Sequence, residues 1–471
     1  MKKRVLALDF GATSGRAMLC TFDGGKMEIE ELHRIDNSPV QIGGVLYWDV
    51  LRLYHELKTG IVKAKLAGGF DCIGIDTWGV DFALMDKNGD MLANPVHYRD
   101  RRTEGMQNET FAVVPREEIY RATGIQFLDF NTVYQLMYLK NHRPDDYARA
   151  DKFLMIPDLL AYFLTGVQAC ERTVASTGQL VDPRTGDWAW ELIDKLGLRR
   201  SLFPKIIGSG ERYGMLSPAV CEELQVPPVP VIAVCCHDTA SAVASVPTES
   251  RDFAYISCGT WSLLGTELDT PLFTCPDYTN ELGYGNTVRY LKNIMGLWII
   301  NESKRTWDKQ GRNLGYGEIA ALAEKEEGGK FIFDVNDDEF MYPGDMPEKV
   351  RQWFIARGKP APEGVGQIAR AIYDSIAECY RVATDGLVRL TGKKDALHMI
   401  GGGINATLLC KLTADATRLP VIAGPAEATV MGNAAVQLMS LGEIADLAEA
   451  RKIIRNSVTL QTYLPQDGQS Q

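Results

Sequence analysis

The chain has 471 residues, 45% of them hydrophobic and 24% charged, and a formal net charge of −11. That length exceeds one hydrophobic core and calls for two or three domains. The acidic balance excludes nucleic acid and an anionic membrane as partners, since both need a basic face, and no window approaches the ~18 apolar residues of a membrane span.

The basic start Met1–Arg4 leads into an apolar run that Asp9 breaks too early for a signal peptide. Ten cysteines stand without metal-ligand spacing, mostly among apolar neighbours, as small core residues of a protein in the reducing cytoplasm.

The stretch Val5–Leu19, VLALDFGATSGRAML, predicts a buried strand ending near Asp9, a tight turn over Gly11–Gly15, and a returning strand from Arg16. Free backbone N–H groups and two hydroxyls in such a turn suit a phosphate. It is not a Walker loop, because no Gly-Lys-Ser/Thr ends it and no helix follows. Asp23-Gly24-Gly25 turns the chain into a third strand near Met27–Arg34, and a helix is expected from Val50 to Leu66. Ile73–Phe82 predicts two short strands around a polar turn, so the opening order is βββαβ.

From about Gln107 to Arg200 the pattern is helices and loops, with Asn131 or Thr132 as a helix cap and Gly166 closing a helix begun at Pro157-Asp158. Val229–Val234 predicts a strand, followed by Cys235-Cys236-His237-Asp238 and a helix over Thr239–Val246. The opening device then returns: strand Phe253–Cys258, polar turn Gly259-Thr260-Trp261-Ser262, strand Leu263–Thr266. Ile368, Ile372, Ile376, Cys379, Ala383, Leu387 and Leu390 mark a long amphipathic helix. Ala396–Ile400 and Pro420–Ala423 are strands, each followed by a glycine turn and a helix, Ala406–Leu419 and Glu427–Leu441. Past Leu464 a polar, frayed tail is expected. The chain divides into an N-terminal α/β domain over 1–245, a C-terminal one over 246–455, and a tail over 456–471 that packs back on the first domain.

Two phosphate-type hairpins, one opening each half, point to a polyphosphate held at both ends. Gly401-x-Gly403-x-x-Ala406 also fits a dinucleotide fingerprint, but Glu427 at the required spacing reads as a helix start. The triple glycine better suits close approach of a nucleoside to the backbone. Asp238, at a strand-to-helix junction, reads equally as an N-cap or as a general base for a substrate hydroxyl. Asp9 beside the phosphate turn suits a water-held Mg²⁺ or a backbone bond. Asp76-Thr77-Trp78-Gly79-Val80-Asp81 gathers carboxylates, a hydroxyl and an indole, as a sugar site does, or is an ordinary turn with Trp78 in the core. Tyr98–Arg102 is a solvated charged face or an ion-pair network walling the pocket.

Over nearly its whole length the sequence resembles the FGGY carbohydrate kinases. The resemblance is carried by LDFGATSGRAML, IGIDTWGVDF, YRDRR, GIQFLDFNTVYQL, HDTASAV at His237, SCGTWSLLG, LKNIMGLW, VNDDEF, LHMIGGG and TADATRLPVIAGPAEATVMGN. It implies an α/β fold of two actin-like (ribonuclease H-like) domains, each a mixed sheet flanked by helices, with the active-site cleft between them. The implied activity is ATP- and Mg²⁺-dependent phosphorylation of a ketose at O1, with L-rhamnulose expected and L-fuculose or a xylulose as alternatives. A non-catalytic actin-like nucleotide-binding protein is the rival of a different class. The resemblance makes Asp238 the base, and assigns the sugar to Gly79, His237, Asp238, Thr239 and Asn293, with Trp78 close by. It assigns the nucleotide to Ala12, Thr13, Ser14, Gly15, Arg16, Thr260, Asn301 and Gly402, and the metal to Asp9. Relatives carry Gln where Asn301 stands, and a polar pair where this chain has Asn405-Ala406. A cytoplasmic monomer or homodimer is expected.

Overall fold

The structure, a computed structural model, describes residues 2–466. The chain divides into two compact units. The first comprises Met1–Ser245, Leu268–Tyr290 and Thr429–Ser457; the second comprises Val246–Glu267, Leu291–Ala428 and Val458–Gln471. The two units are therefore not contiguous halves of the sequence, because a loop-strand segment and a pair of late helices belong to the first.

The first unit is built on a six-stranded mixed sheet. Its strand order is Arg212–Met215, Pro230–Ile232, Cys72–Thr77, Lys3–Phe10, Ser14–Phe22, Met27–Asp36. Pro230–Ile232, Cys72–Thr77 and Lys3–Phe10 are parallel neighbours, and each of the remaining neighbouring pairs is antiparallel. Val5, Leu6, Ala7 and Leu8 are fully buried, as expected of a strand covered on both faces. The expected Val50–Leu66 helix forms with the side chain of Asp49 accepting from the Arg52 N–H at 3.2 Å. It lies so close to the sheet that a Cβ on Gly60 would sit 2.6 Å from that of Ala17. The Ala428–Ser440 helix approaches as closely: a Cβ on Gly432 would sit 1.7 Å from the Ser241 carbonyl, and one on Gly74 would meet Asn433 and Gln437.

The second unit repeats the device. Trp261–Leu268 pairs antiparallel with Phe253–Cys258, which runs parallel to Ala396–Ile400, itself parallel to Val421–Ala423. The 28-residue helix Gly364–Thr391 buries Ile368, Ile372, Ile376, Ala383 and Leu387, the stripe seen in the sequence. The tail departs from expectation: Gln461–Tyr463 pairs antiparallel with Val421–Ala423, so it extends the second unit's sheet. Tyr463 is buried there, and Gln461–Tyr463 forms the edge strand of that sheet. The remainder of the expected frayed tail, 467–471, lies outside the described residues. Among the described residues no helix is long and apolar enough to cross a membrane.

Candidate active site

Strand register gathers the charged groups of the first unit. Asp9 stands opposite Arg16 in the opening hairpin and opposite Asp76 on the parallel neighbour. An isolated bridge, Thr77 to His237, carries the pattern one strand further. Asp9, Asp76 and Asp238 thus lie along the carboxyl ends of parallel strands, where α/β sheets bind ligands. Asp9 is 6% exposed, and its Oδ2 accepts from Arg16 Nη2 at 2.6 Å. A buried carboxylate needs such a partner. Asp76 is fully buried; its Oδ2 accepts from Asn433 Nδ2 at 2.5 Å, and its Oδ1 has no hydrogen-bond partner among the described residues. Burial first, then the nearby Asp9, pushes the Asp76 carboxyl well above the usual carboxylate range.

The Gly11–Gly15 turn is pinned from outside the hairpin. Gly11 N–H donates to the Ser14 carbonyl at 2.8 Å, and buried Asn37 donates through Nδ2 to the Gly11 carbonyl at 2.8 Å and through its N–H to the Thr13 carbonyl at 3.2 Å. A Cβ on Gly15 would sit 2.6 Å from the Phe10 ring. Ala12 and Ser14 are half-buried and Thr13 is exposed. The turn therefore presents its backbone while its carbonyls are held.

Asp238 is the first residue of the helix Asp238–Ala244, and His237 occupies the N-cap position. The N-cap reading of Asp238 is thereby corrected: its Oδ1 accepts from its neighbour, Thr239 N–H at 2.5 Å and Thr239 Oγ1 at 3.1 Å. The side chain is 29% exposed, so it sits at the surface of the buried acidic row. Burial raises the carboxyl above its ordinary range, His237 opposes the rise, and Asp9 adds to it. A carboxylate destabilised in this way is a better proton acceptor. His237 Nε2 stands 3.4 Å from Asp238 Oδ1, and its backbone N–H donates to Thr173 Oγ1 at 3.2 Å.

The Trp78–Asp81 turn is held by residues distant in sequence. Val80, a β-branched residue, adopts φ 64°, a strained conformation that surrounding contacts must enforce. Those contacts are Thr177 Oγ1 accepting from Val80 N–H at 3.0 Å and Thr132 Oγ1 donating to the Val80 carbonyl at 2.6 Å. Gly79 is half-buried against Thr177. Trp78 is 5% exposed, its ring lies 4.0 Å from that of Trp48, and its Nε1 donates to Asp81 Oδ2 at 3.2 Å. Trp48 Nε1, Tyr98 N–H and Gln135 Nε2 also donate to Asp81, whose carboxyl burial pushes up to about 6. Trp78 and Asp81 therefore belong to the scaffold under the Gly79 turn. In the Tyr98–Arg102 cluster, Arg102 Nη2 donates to Gln135 Oε1 at 2.6 Å and Asp100 Oδ2 accepts from Leu46 N–H at 2.9 Å, so the cluster braces this scaffold.

In the second unit, Gly259 N–H donates to the Trp261 carbonyl at 2.9 Å, closing the second hairpin. Leu297 and Trp298 N–H donate to the Gly259 and Thr260 carbonyls, each at 3.1 Å. Thr260 remains half-buried beside them. Ser262, grouped by sequence with the polar turn, is fully buried and bonded to Tyr380 Oη at 2.5 Å, so it secures the hairpin from inside. Gly401 has φ 85°, and a Cβ on Gly403 would sit 2.2 Å from Cys258 Sγ; these glycines let the Ala396–Ile400 turn lie against the hairpin. Gly402 is exposed at its crest, in a 3₁₀ turn over Gly402–Asn405. Asn301 is half-buried on the Trp298–Lys309 helix and Asn293 half-buried on the Val288–Met295 strand.

Each unit thus contains a hairpin with a pinned turn, and the first unit also carries a carboxylate at the head of a helix. A family model described as "FGGY family of carbohydrate kinases, N-terminal domain" matches residues 4–245, and the corresponding C-terminal domain model matches residues 254–441. The chain belongs to the FGGY family of carbohydrate kinases. Among curated relatives, a rhamnulokinase of Bacteroides thetaiotaomicron is 41% identical over 99% of this chain and 97% of its own length. A rhamnulokinase of Enterococcus faecalis is 42% identical over 98% of this chain and 94% of its own length. Among solved structures, a ligand-bound xylulose kinase from Lactobacillus acidophilus superimposes with a TM-score of 0.81 at 17% identity, covering 98% of this chain and 94% of its own, which establishes the fold.

Several groups of this FGGY kinase that shape the site gave no local signal in the sequence. Glu281 and Arg289 reach His237, Asn433 reaches Asp76, Thr177 holds Val80, and Asn37 holds the first hairpin. Each is a common residue type placed by long-range topology. Only the polar character of Asn433 and Gln437 within an otherwise apolar helix hinted at a buried partner.

Proposed function

We propose that the kinase transfers the γ-phosphoryl group of ATP to O1 of L-rhamnulose, giving L-rhamnulose 1-phosphate and ADP, in L-rhamnose catabolism. The observation that carries this reading is 41% identity to a rhamnulokinase across 99% of the chain. Asp238 accepts the O1 proton. Its Oδ1 is held by Thr239, which leaves Oδ2 for the acceptor hydroxyl. The O1–Pγ bond forms as the bond from Pγ to the β-phosphate oxygen breaks, and ADP leaves. Gly79, His237, Thr239 and Asn293 hold the sugar, with Trp78 fixing the Gly79 turn from beneath. Ala12, Thr13, Ser14, Gly15 and Arg16 meet the phosphates, and Thr260, Asn301 and Gly402 meet the nucleotide. Positioning and charge stabilisation supply most of the rate.

Asp9 is the proposed Mg²⁺ anchor. Among the described residues no group of three or more His, Cys, Asp or Glu side chains could hold a metal alone. That fits a Mg²⁺ bound through one carboxylate, water and substrate phosphates. The oxygen-only donor set and the unpartnered, buried Asp76 Oδ1 beside Asp9 suit such a hard cation. When bound, Mg²⁺ neutralises phosphate charge. We place the enzyme in the cytoplasm as a monomer or homodimer.

Initial rates with ATP on a panel of L-rhamnulose, L-fuculose, D-xylulose and L-xylulose test the substrate. The reading predicts the highest kcat/KM on L-rhamnulose, with product phosphorylated at O1. A higher value on another ketose overturns it.

A further inference from the structure

Behind the proposed base lies a buried charged pair that the reaction as described does not use. Arg289 is fully buried and Glu281 is 5% exposed. Arg289 Nη2 stands 3.0 Å from Glu281 Oε2 and its Nε donates to the Leu282 carbonyl at 3.0 Å, while Nη1 has no hydrogen-bond partner among the described residues. A buried ion pair of this kind is weak stabilisation, and apolar residues of the same volume often serve as well. An incompletely satisfied buried guanidinium therefore asks for another reason to be there. Its position supplies one. The same Nη2 lies 3.1 Å from His237 Nδ1 in hydrogen-bond geometry, and Glu281 Oε2 lies 3.2 Å from that nitrogen. On the opposite side of the ring, Nε2 faces Asp238 Oδ1 at 3.4 Å.

We infer that Arg289, held by Glu281, is a positioning residue that fixes His237 as the neutral tautomer with its proton on Nε2, so that the imidazole donates toward Asp238. Arginine can only donate, so in the Nη2 contact Nδ1 accepts and the ring's one proton is left on Nε2, while Glu281 Oε2, 3.2 Å from the same nitrogen, faces the guanidinium at 3.0 Å. Glu281, whose Oε2 makes no hydrogen bond among the described residues, balances the guanidinium charge. Nε2–H and the two donors of Thr239 then converge on Oδ1, fixing the carboxylate so that its other oxygen meets the acceptor hydroxyl. Without Arg289, Nδ1–H would turn to Glu281 and a bare Nε2 lone pair would face the carboxylate. The kinetic part of this inference rests on Asp238 being the base; the tautomer does not.

The test is nitrogen NMR of the full-length enzyme carrying ¹⁵N-histidine, in which six histidines are labelled and the variant His237→Gln identifies the signals of interest. The expected result is a protonated Nε2 and an acceptor Nδ1 in the parent, reversed in Arg289→Met. In the same variant kcat should fall about ten- to hundredfold, the effect of losing one hydrogen bond to a charged group, with KM for ATP unchanged. His237→Gln carries an amide N–H toward Asp238 in any background, so His237→Gln/Arg289→Met should turn over as fast as His237→Gln alone. If Arg289→Met does not fold, Glu281→Met/Arg289→Met removes both charges together, and the kinetic arm carries the test: turnover should fall about ten- to hundredfold in the His237 background and not at all in the His237→Gln background. A parent with its proton on Nδ1, or additive losses in the double variant, overturns the inference. Full turnover in Asp238→Asn would instead remove the base and leave the tautomer assignment standing.

Discussion

Gly79→Ala probes the turn under the proposed sugar site. The added Cβ would sit 2.7 Å from Thr177 Oγ1, 2.9 Å from its Cγ2 and 3.0 Å from its Cβ. Thr177 cannot simply rotate away, because its Oγ1 both accepts from Val80 N–H and donates to the Val174 carbonyl at 2.7 Å. Overpacking of this kind costs about 1–3 kcal/mol. Stranding the Val80 N–H adds about 1–3 kcal/mol, at a residue already strained by its positive φ. The sum, about 2–6 kcal/mol, should lower the melting temperature by at least about 3 °C for a unit of this size. Scanning calorimetry reads the shift, and initial rates read the accompanying rise in KM for the ketose with KM for ATP unchanged. Thr177→Ala deletes the Oγ1 and Cγ2 that the new methyl would strike, so Gly79→Ala/Thr177→Ala should recover part of the ketose affinity. A single variant melting within a degree of the parent, with the parent's KM, would refute the reasoning.

Three further outcomes follow from buried groups. Arg16→Met leaves the Asp9 carboxylate without its 2.6 Å partner and should lower stability by about 3 kcal/mol in urea unfolding; a loss under 0.5 kcal/mol would show that other contacts carry that charge. Asp158 is fully buried, and burial pushes its carboxyl up to about 7. The native state then holds a proton that the unfolded chain, titrating near 3.9, has released. Its contribution, up to about 4 kcal/mol, is present below pH 4 and lost as pH rises through 7, so Asp158→Asn should flatten the pH 5–8 slope of stability, and an unchanged slope would contradict it. Tyr380→Phe removes the bond to Ser262 in the second hairpin and should cost about 1–2 kcal/mol while raising KM for ATP and sparing that for the ketose; the opposite split would dissociate this hairpin from the nucleotide.

The elements that make the fold were legible wherever a local pattern specified them. The hydrophobic run before Asp9, the Gly11–Gly15 turn, the recurrence at Phe253–Ser262 and the stripe of the Gly364–Thr391 helix all correspond to observed elements. So did the charged positions at strand ends, because a carboxylate such as Asp9 or Asp76 breaks an apolar run visibly. What no local pattern carries is which distant segment covers each group. The segment Glu427–Leu441 reads simply as a helix, and nothing local says that its Asn433 and Gln437 bond Asp76 and the Leu6 carbonyl. Ser262 reads as part of the polar turn with Thr260, yet alternation along the strand turns it inward to Tyr380. Trp78 reads either as part of a sugar site or as the core residue of an ordinary turn, and only the distant partners show its N–H donating to Asp81 beside Trp48. Val80 carries a left-handed backbone that valine would not predict, since the tertiary contacts of Thr132 and Thr177 impose it. The tail over 456–471 is expected to pack back on the first domain, yet Gln461–Tyr463 pairs with Val421–Ala423 in the second unit's sheet.

The central claim is that Asp238 takes the proton from the acceptor hydroxyl. ADP release by Asp238→Asn at saturating ATP and L-rhamnulose, with ATP affinity measured on the same preparation, tests it most directly. The account predicts turnover reduced by about 10²–10⁴-fold with ATP binding intact; turnover near that of the parent enzyme would contradict it.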